Sequence, residues 1–129
     1  LAGFSGAVAD AMALFERFEA KLTEVHGNLQ KAVVEMAKDW RTDKILKELD
    51  ALLAIMDTKS AYLLSGSGDV IEPDDQVIAI GSGSGYAVAA ARAYLNAGEK
   101  DPKVIVKNAM KITSELCIYT NDHITILEA

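Results

Sequence analysis

Only one cysteine and two histidines occur among the 129 residues. Cys117 has no partner within the chain, so no intrachain disulfide holds the fold, and this usage suits a reducing compartment. His26 and His123 lie far apart and outside any cluster at ligand spacing. Each reads as a surface residue at the end of an element, because a zinc site wants three or four converging ligands. Long hydrophobic runs are also missing. The longest is Ala51 to Met56, far short of the roughly 18 residues of a membrane helix. Clustered positive charge is absent too: Lys and Arg number 13 against 19 Asp and Glu, for a net charge of −6. That balance argues against a nucleic-acid partner, which favours grouped Lys and Arg. Finally, no Met and no basic-then-apolar leader stand at the start.

What is there is an ordinary globular composition, 50% hydrophobic and 25% charged. The length fits one domain spanning residues 1–129. Leu1-Ala2-Gly3-Phe4-Ser5-Gly6 is a short apolar stretch running into a Gly-x-x-Gly turn. It reads as a strand end and a turn in a chain whose earlier strands lie upstream.

From Ala7 to Val25, Val8, Ala11, Met12, Leu14, Phe15, Phe18, Leu22 and Val25 recur in steps of three and four, which predicts one amphipathic helix. Gly27 closes it and Asn28 caps a second helix carrying Leu29, Ala32, Val33, Met36, Ala37 and Trp40. Lys44–Leu49 reads as a further short helical stretch. The period then changes. Leu52–Met56, a turn at Asp57–Ser60 and Ala61–Ser65 make a hairpin, followed by a short Val70–Ile71 segment. Val77–Ile80 reads as another strand, ending in Gly81-Ser82-Gly83-Ser84-Gly85. An alanine-rich helix covers Tyr86–Leu95, a fourth helix runs from Val104 to Cys117 beyond Pro102, and Ile124–Leu127 reads as a last strand. Strands and helices grouped this way favour α+β layering over alternating βαβ units. A helical pair on each side of a sheet sandwich gives four layers, α-β-β-α.

The Gly-Ser loop between a strand and a helix invites a nucleotide reading, but the third glycine of a dinucleotide fingerprint would fall on Tyr86 or Val88. No Lys follows, as a phosphate-binding Walker loop requires. A tight turn is the plainer reading, with Ser82 as a polar group at a helix start near an active site the other. Asp39-Trp40-Arg41-Thr42-Asp43 reads as a helix end with local ion pairs.

Six segments together carry a resemblance: Ala2-Gly3-Phe4-Ser5-Gly6 with Asp10-Ala11; Ala37-Lys38-Asp39-Trp40-Arg41-Thr42-Asp43; Leu49 with Ala51-Leu52-Leu53; Gly68-Asp69-Val70; Ile78-Ala79-Ile80-Gly81-Ser82-Gly83; and Cys117-Ile118-Tyr119-Thr120-Asn121. They resemble the HslV family, the proteasome-like peptidase subunits of bacterial HslUV (ClpQY) ATP-dependent proteases. The resemblance covers the whole chain, with Lys38–Asp43 and Cys117–Asn121 specific to that family.

The resemblance implies an N-terminal-nucleophile hydrolase sandwich, here lacking its first strands. It implies two stacked six-membered rings around a proteolytic chamber, with an HslU-type ATPase hexamer feeding in unfolded proteins. It implies a cytoplasmic enzyme that binds no nucleotide itself and touches neither nucleic acid nor membrane. A threonine exposed by processing attacks the peptide carbonyl, with its own α-amino group as general base. Leu1 has no hydroxyl, so the family's nucleophile, the Asp after it and the active-site Lys are expected upstream.

Residue by residue, Gly3 matches the glycine whose N–H helps form the oxyanion hole, a donor worth roughly 3–4 kcal/mol. Ser5 falls on the segment that pairs with extended substrate. Ser82 matches the serine beside the threonine amine that helps its proton traffic. Ser114, Cys117 and Thr120 match positions whose carbonyls hold a sodium ion at a helix end, where the dipole favours a cation. Two residues depart from the family pattern: Ser84 and Ser114 stand where glycine is common, and a positive φ would strain Ser84. The alternative to a peptidase is a non-catalytic structural subunit of the same ring.

Overall fold

The computed structural model describes all of residues 1–129, which divide into two compact units, 1–76 and 77–129. In the first unit the order is β1 (Ala2–Gly6), α1 (Val8–Glu24), α2 (Leu29–Thr42), a single 3₁₀ turn (Leu46–Glu48), β2 (Ala51–Met56), β3 (Ala61–Ser65) and β4 (Val70–Ile71). The four strands form one antiparallel sheet in the order β1-β2-β3-β4. Leu1–Gly6 is therefore mostly strand rather than a Gly-x-x-Gly turn, and the chain turns only at Gly6 into α1.

Both helices bury a stripe against this sheet. Leu14 and Phe18 of α1 and Val33, Met36 and Trp40 of α2 pack with Leu53, Ile55, Tyr62 and Leu64. The stripe on α1 is narrower than its periodicity suggests, since Val8, Met12 and Phe15 are exposed. β2 carries Leu53 and Ile55 on the helix side and Leu52, Ala54 and Met56 on the other. It is apolar on both faces, the pattern of a strand covered on two sides.

Local chemistry sets the element ends. The Asn28 side chain accepts from the Lys31 N–H at 3.0 Å, as expected of an N-cap. Asp43 does the same beyond α2, accepting from Ile45 at 2.8 Å and Leu46 at 3.1 Å. Across the α1–α2 seam, Arg17 reaches Asp43 at 3.3 Å and Lys21 reaches Asp39 at 3.1 Å. The predicted ion pairs at Asp39–Asp43 thus exist, but they join two helices rather than one helix end.

The second unit contains α3 (Ser84–Asn96) and α4 (Pro102–Leu116). Ala91 of α3 packs on Ile105 and Ala109 of α4, with Val77, Ala90 and Tyr94 around them. Small side chains let two backbones approach closely, which accounts for Ala90 and Ala91, while Ala89 and Ala93 are exposed. Asp101 caps α4 by accepting from the Lys103 N–H at 2.9 Å, with Pro102 in the first turn.

Two expected strands have no partner within residues 1–129. Val77–Ile80 and Ile124–Leu127 join no ladder there. An apolar run specifies burial, but a strand also needs a hydrogen-bonded neighbour, and the sheet holds only β1 to β4. No helix is long and apolar enough to cross a membrane.

Two stability predictions follow from this core and its turns. Trp40 is fully buried, yet its indole N–H has no hydrogen-bond partner. Trp40→Ala should cost about 3–5 kcal/mol in urea unfolding, and Trp40→Phe clearly less, because it removes volume without breaking a hydrogen bond. The Asp57 carboxylate accepts from Lys59 at 2.7 Å and Ser60 at 2.8 Å, and these N–H bonds hold its pKa below the usual value. A depressed folded pKa contributes stability that is complete above the unfolded value and lost as pH falls through the folded one. The urea midpoint should therefore drop below about pH 4, and less steeply in Asp57→Asn, which keeps the acceptor oxygen but does not titrate.

Candidate functional site

The first unit contributes the β1 edge. Leu1 and Met56 exchange both backbone hydrogen bonds, Leu1 N–H to Met56 carbonyl at 2.8 Å and Met56 N–H to Leu1 carbonyl at 2.9 Å. In an antiparallel ladder such pairs alternate with non-bonded ones. With Gly3 opposite Ala54 and Ser5 opposite Leu52, Gly3 and Ser5 turn their backbone groups toward β2. Ala2, Phe4 and Gly6 turn theirs outward, and β1 is the edge strand of its sheet.

In this register the Gly3 N–H points toward Ala54 of β2. Packing within the chain does not demand glycine there, since an added Cβ would meet nothing within 4 Å. Gly6 is the demanded glycine. Its φ is +123°, and a Cβ would overlap the Asp50 carbonyl oxygen and lie 2.9 Å from the Ala51 Cα. Ser5 sits on the expected segment, but only its side chain remains for an outside partner.

The second unit contributes the Ser82 loop. Gly81 lies at φ +95°, the Ser84 N–H donates to its carbonyl at 3.1 Å, and α3 begins at Ser84 with Gly83 as its N-cap. Ser84 takes a helical conformation and no positive φ, so its replacement of glycine brings no strain. Ser82 is exposed, while Gly83 beside it is buried. Ser82 lines a cleft of about 420 Å³ with Ile80, Met110, Thr113, Tyr119 and Thr120.

Ser114, Cys117 and Thr120 lie at the end of α4 and in the turn beyond it. The Cys117 carbonyl accepts from the Thr120 N–H at 3.1 Å and from the Thr120 hydroxyl at 2.7 Å. Those two donors fill both lone pairs of a carbonyl. The same hydroxyl, however, lies 3.2 Å from the Thr113 carbonyl, and its one proton serves one acceptor at a time. Turned to Thr113, it leaves a Cys117 lone pair for a cation. Backbone carbonyl oxygens suit a hard monovalent cation in donor type, and the end of a helix suits it in partial charge. No three His, Cys, Asp or Glu side chains converge to hold a metal ion.

Within the second unit, then, the structure brings Ser82 together with Thr120 and Cys117, which sequence alone left far apart. Gly83 is the meeting point. A Cβ there would overlap the Thr113 methyl and lie 3.1 Å from the Thr120 methyl and 3.8 Å from the Cys117 Cβ. Thr113 had drawn no attention in the sequence. Its position one helical turn before Cys117, on the same face of α4, was the available signal. Gly3 and Ser5 lie in the first unit.

Comparison with known proteins places this geometry in a family. The proteasome subunit model matches residues 1–129. The chain is 59% identical over 128 residues to the ATP-dependent protease subunit HslV of Pseudothermotoga lettingae, covering 99% of this chain and 73% of that protein. HslV of Thermosipho africanus is 57% identical and that of Listeria innocua 54%, with the same coverage. Among solved structures, eukaryotic HslV from Trypanosoma brucei superposes with a TM-score of 0.90 at 40% identity, over 95% of this chain and 71% of that one.

The two glycines of β1 can be told apart by substitution. Gly6→Ala should destabilise the protein by about 1–3 kcal/mol, the usual cost of a residue forced into a disfavoured backbone region. Gly3→Ala should change stability by less than about 1 kcal/mol. Equal losses in thermal unfolding would contradict the assigned ladder.

Proposed function

The chain belongs to the proteasome family, and within it to the HslV peptidase subunits, and from that premise we propose that it cleaves peptide bonds by threonine chemistry inside a chamber of stacked six-membered rings. It is the peptidase subunit of an ATP-dependent protease, with the α+β sandwich fold of the N-terminal-nucleophile hydrolases. An HslU-type ATPase hexamer is the proposed partner, unfolded protein the substrate and the cytoplasm the compartment.

The observation that carries the peptidase reading is the 54–59% identity to HslV peptidase subunits over 99% of the chain. The β1 segment that holds Ser5 is proposed to pair with extended peptide through main-chain hydrogen bonds, independent of the peptide's sequence. That suits an enzyme that must accept many unfolded proteins. The threonine hydroxyl adds to the scissile carbonyl carbon while its own α-amino group takes the proton and passes it to the departing amine. Water then hydrolyses the ester and frees the threonine.

Negative charge builds on the carbonyl oxygen in that step, and a backbone N–H aimed at it stabilises the transition state. We assign this donor to the Gly3–Gly6 segment, where the family resemblance implies it at Gly3. Ser82 is assigned to proton traffic beside the threonine amine. Leu1 has no hydroxyl, so none of the 129 residues is assigned as the nucleophile. The carbonyls of Ser114, Cys117 and Thr120 are assigned to a sodium ion, which would offset the negative end of the α4 dipole.

Hydrolysis of a chromogenic peptide tests the proposal. The assembled full-length subunit with its ATPase should release the chromophore, and Ser82→Ala should lower kcat by about 100-fold. The polypeptide of residues 1–129 assayed alone should release none. Activity of that polypeptide, blocked by a threonine-directed inhibitor, would sink the assignment of the nucleophile. A fully assembled subunit inert toward every peptide would favour the structural-ring alternative.

A further inference from the structure

Gly83 rests on two methyl groups. It is buried as the N-cap of α3, directly after the exposed Ser82. The Thr113 methyl leaves no room for a Cβ at this position, and the Thr120 methyl lies 3.1 Å from where one would be. Both threonines are in turn tied down by their hydroxyls. Thr113 is fully buried on α4 and donates to the Ala109 carbonyl at 2.8 Å. The Thr120 hydroxyl lies 2.7 Å from the Cys117 carbonyl and 3.2 Å from that of Thr113, pinning the turn after α4 to the helix end.

We propose that Thr113 and Thr120 are positioning residues for Ser82, their methyl groups forming a seat under Gly83 that the Thr120 hydroxyl locks to the end of α4. The proposal rests on the reading that Ser82 serves the reaction. Glycine is required at residue 83 because a Cβ there would overlap the Thr113 methyl. Its φ of −91° suits any residue, so backbone conformation does not explain it. An added methyl at residue 83 must push the loop off the seat, carrying Ser82 with it. Displacing a catalytic group by about 1 Å costs on the order of 100-fold in rate. Thr120 contributes two separable things, a methyl to the seat and a hydroxyl to the lock. Valine keeps the first and removes the second, while serine does the reverse.

The test uses the assembled full-length subunit with its ATPase and reads kcat, KM and hydrogen exchange at two amides. Those amides are Ser84, bonded to the Gly81 carbonyl at 3.1 Å, and Ala87, bonded to the Gly83 carbonyl at 3.0 Å. Gly83→Ala should lower kcat by about 10- to 100-fold with KM little changed, and speed exchange at both amides. Adding Thr113→Ser, which removes the methyl but keeps the hydroxyl, should recover most of the kcat. Thr120→Val should lower kcat and speed the same exchange without any clash, so it decides the matter if Gly83→Ala fails to assemble. Failure of Thr113→Ser to rescue Gly83→Ala would overturn the seat. Unchanged exchange and kcat in Thr120→Val would overturn the lock. Ser82→Ala separates the two levels: full activity there removes the catalytic reading of Ser82. An impaired Ser82→Ala beside fully active Thr120→Val and Gly83→Ala removes the positioning proposal alone.

Discussion

The paired hydrogen bonds between Leu1 and Met56 set the parity of the sheet, and the rest of the first unit depends on that parity. Because they bond, Gly3 and Ser5 must face β2, and Ala2, Phe4 and Gly6 must face away. β2 repeats the alternation. Its even residues serve β1, while Asp57 donates its N–H to Ser60 at the start of the β2–β3 ladder. The same parity places Leu53, Ile55, Tyr62 and Leu64 together under α1 and α2. A slip of one residue would exchange core for surface and reverse the direction of every N–H on the edge. The carboxylate of Asp57, which organises the two-residue turn, therefore helps to choose which backbone groups of β1 remain available.

Glycine serves three distinct purposes in this chain, and only geometry tells them apart. Gly6 is held at a positive φ against the backbone of Asp50 and Ala51. Gly83 has an ordinary φ but sits directly on two threonine methyls. Gly3 meets neither constraint, and the space above it is open.

The four helices and the β2–β3 hairpin were legible in the sequence because their signals are local: a three-and-four periodicity, Asn28 as a cap, Pro102 at a helix start, and Asp57 in a tight turn. Family membership was legible too, in runs such as Lys38–Asp43 and Cys117–Asn121. What failed depended on partners distant in the chain. Val77–Ile80 and Ile124–Leu127 carry strand-like composition, but composition does not provide a ladder. Which backbone groups of β1 face β2 is not legible in one segment, because hydrogen-bond direction follows register, and register is a property of two strands. Thr113 showed only as a neighbour of Cys117 on one face of α4, because its contact is with a residue thirty positions earlier.

The end of α4 is where these long-range contacts matter most for chemistry. A neutral hydrogen bond contributes about 1 kcal/mol net, so the Thr120 hydroxyl adds little to the stability of the whole. Its effect is positional. With two carbonyls in reach and one proton to give, it selects between the Cys117 and Thr113 oxygens while its methyl stays against Gly83. Any charge drawn to the Cys117 carbonyl therefore competes with the hydroxyl that steadies the Ser82 loop, and Thr113 offers the displaced proton a second acceptor. The loop can thus keep its seat whichever oxygen is used, because the seat is made of methyl groups and the choice of acceptor turns only an O–H bond.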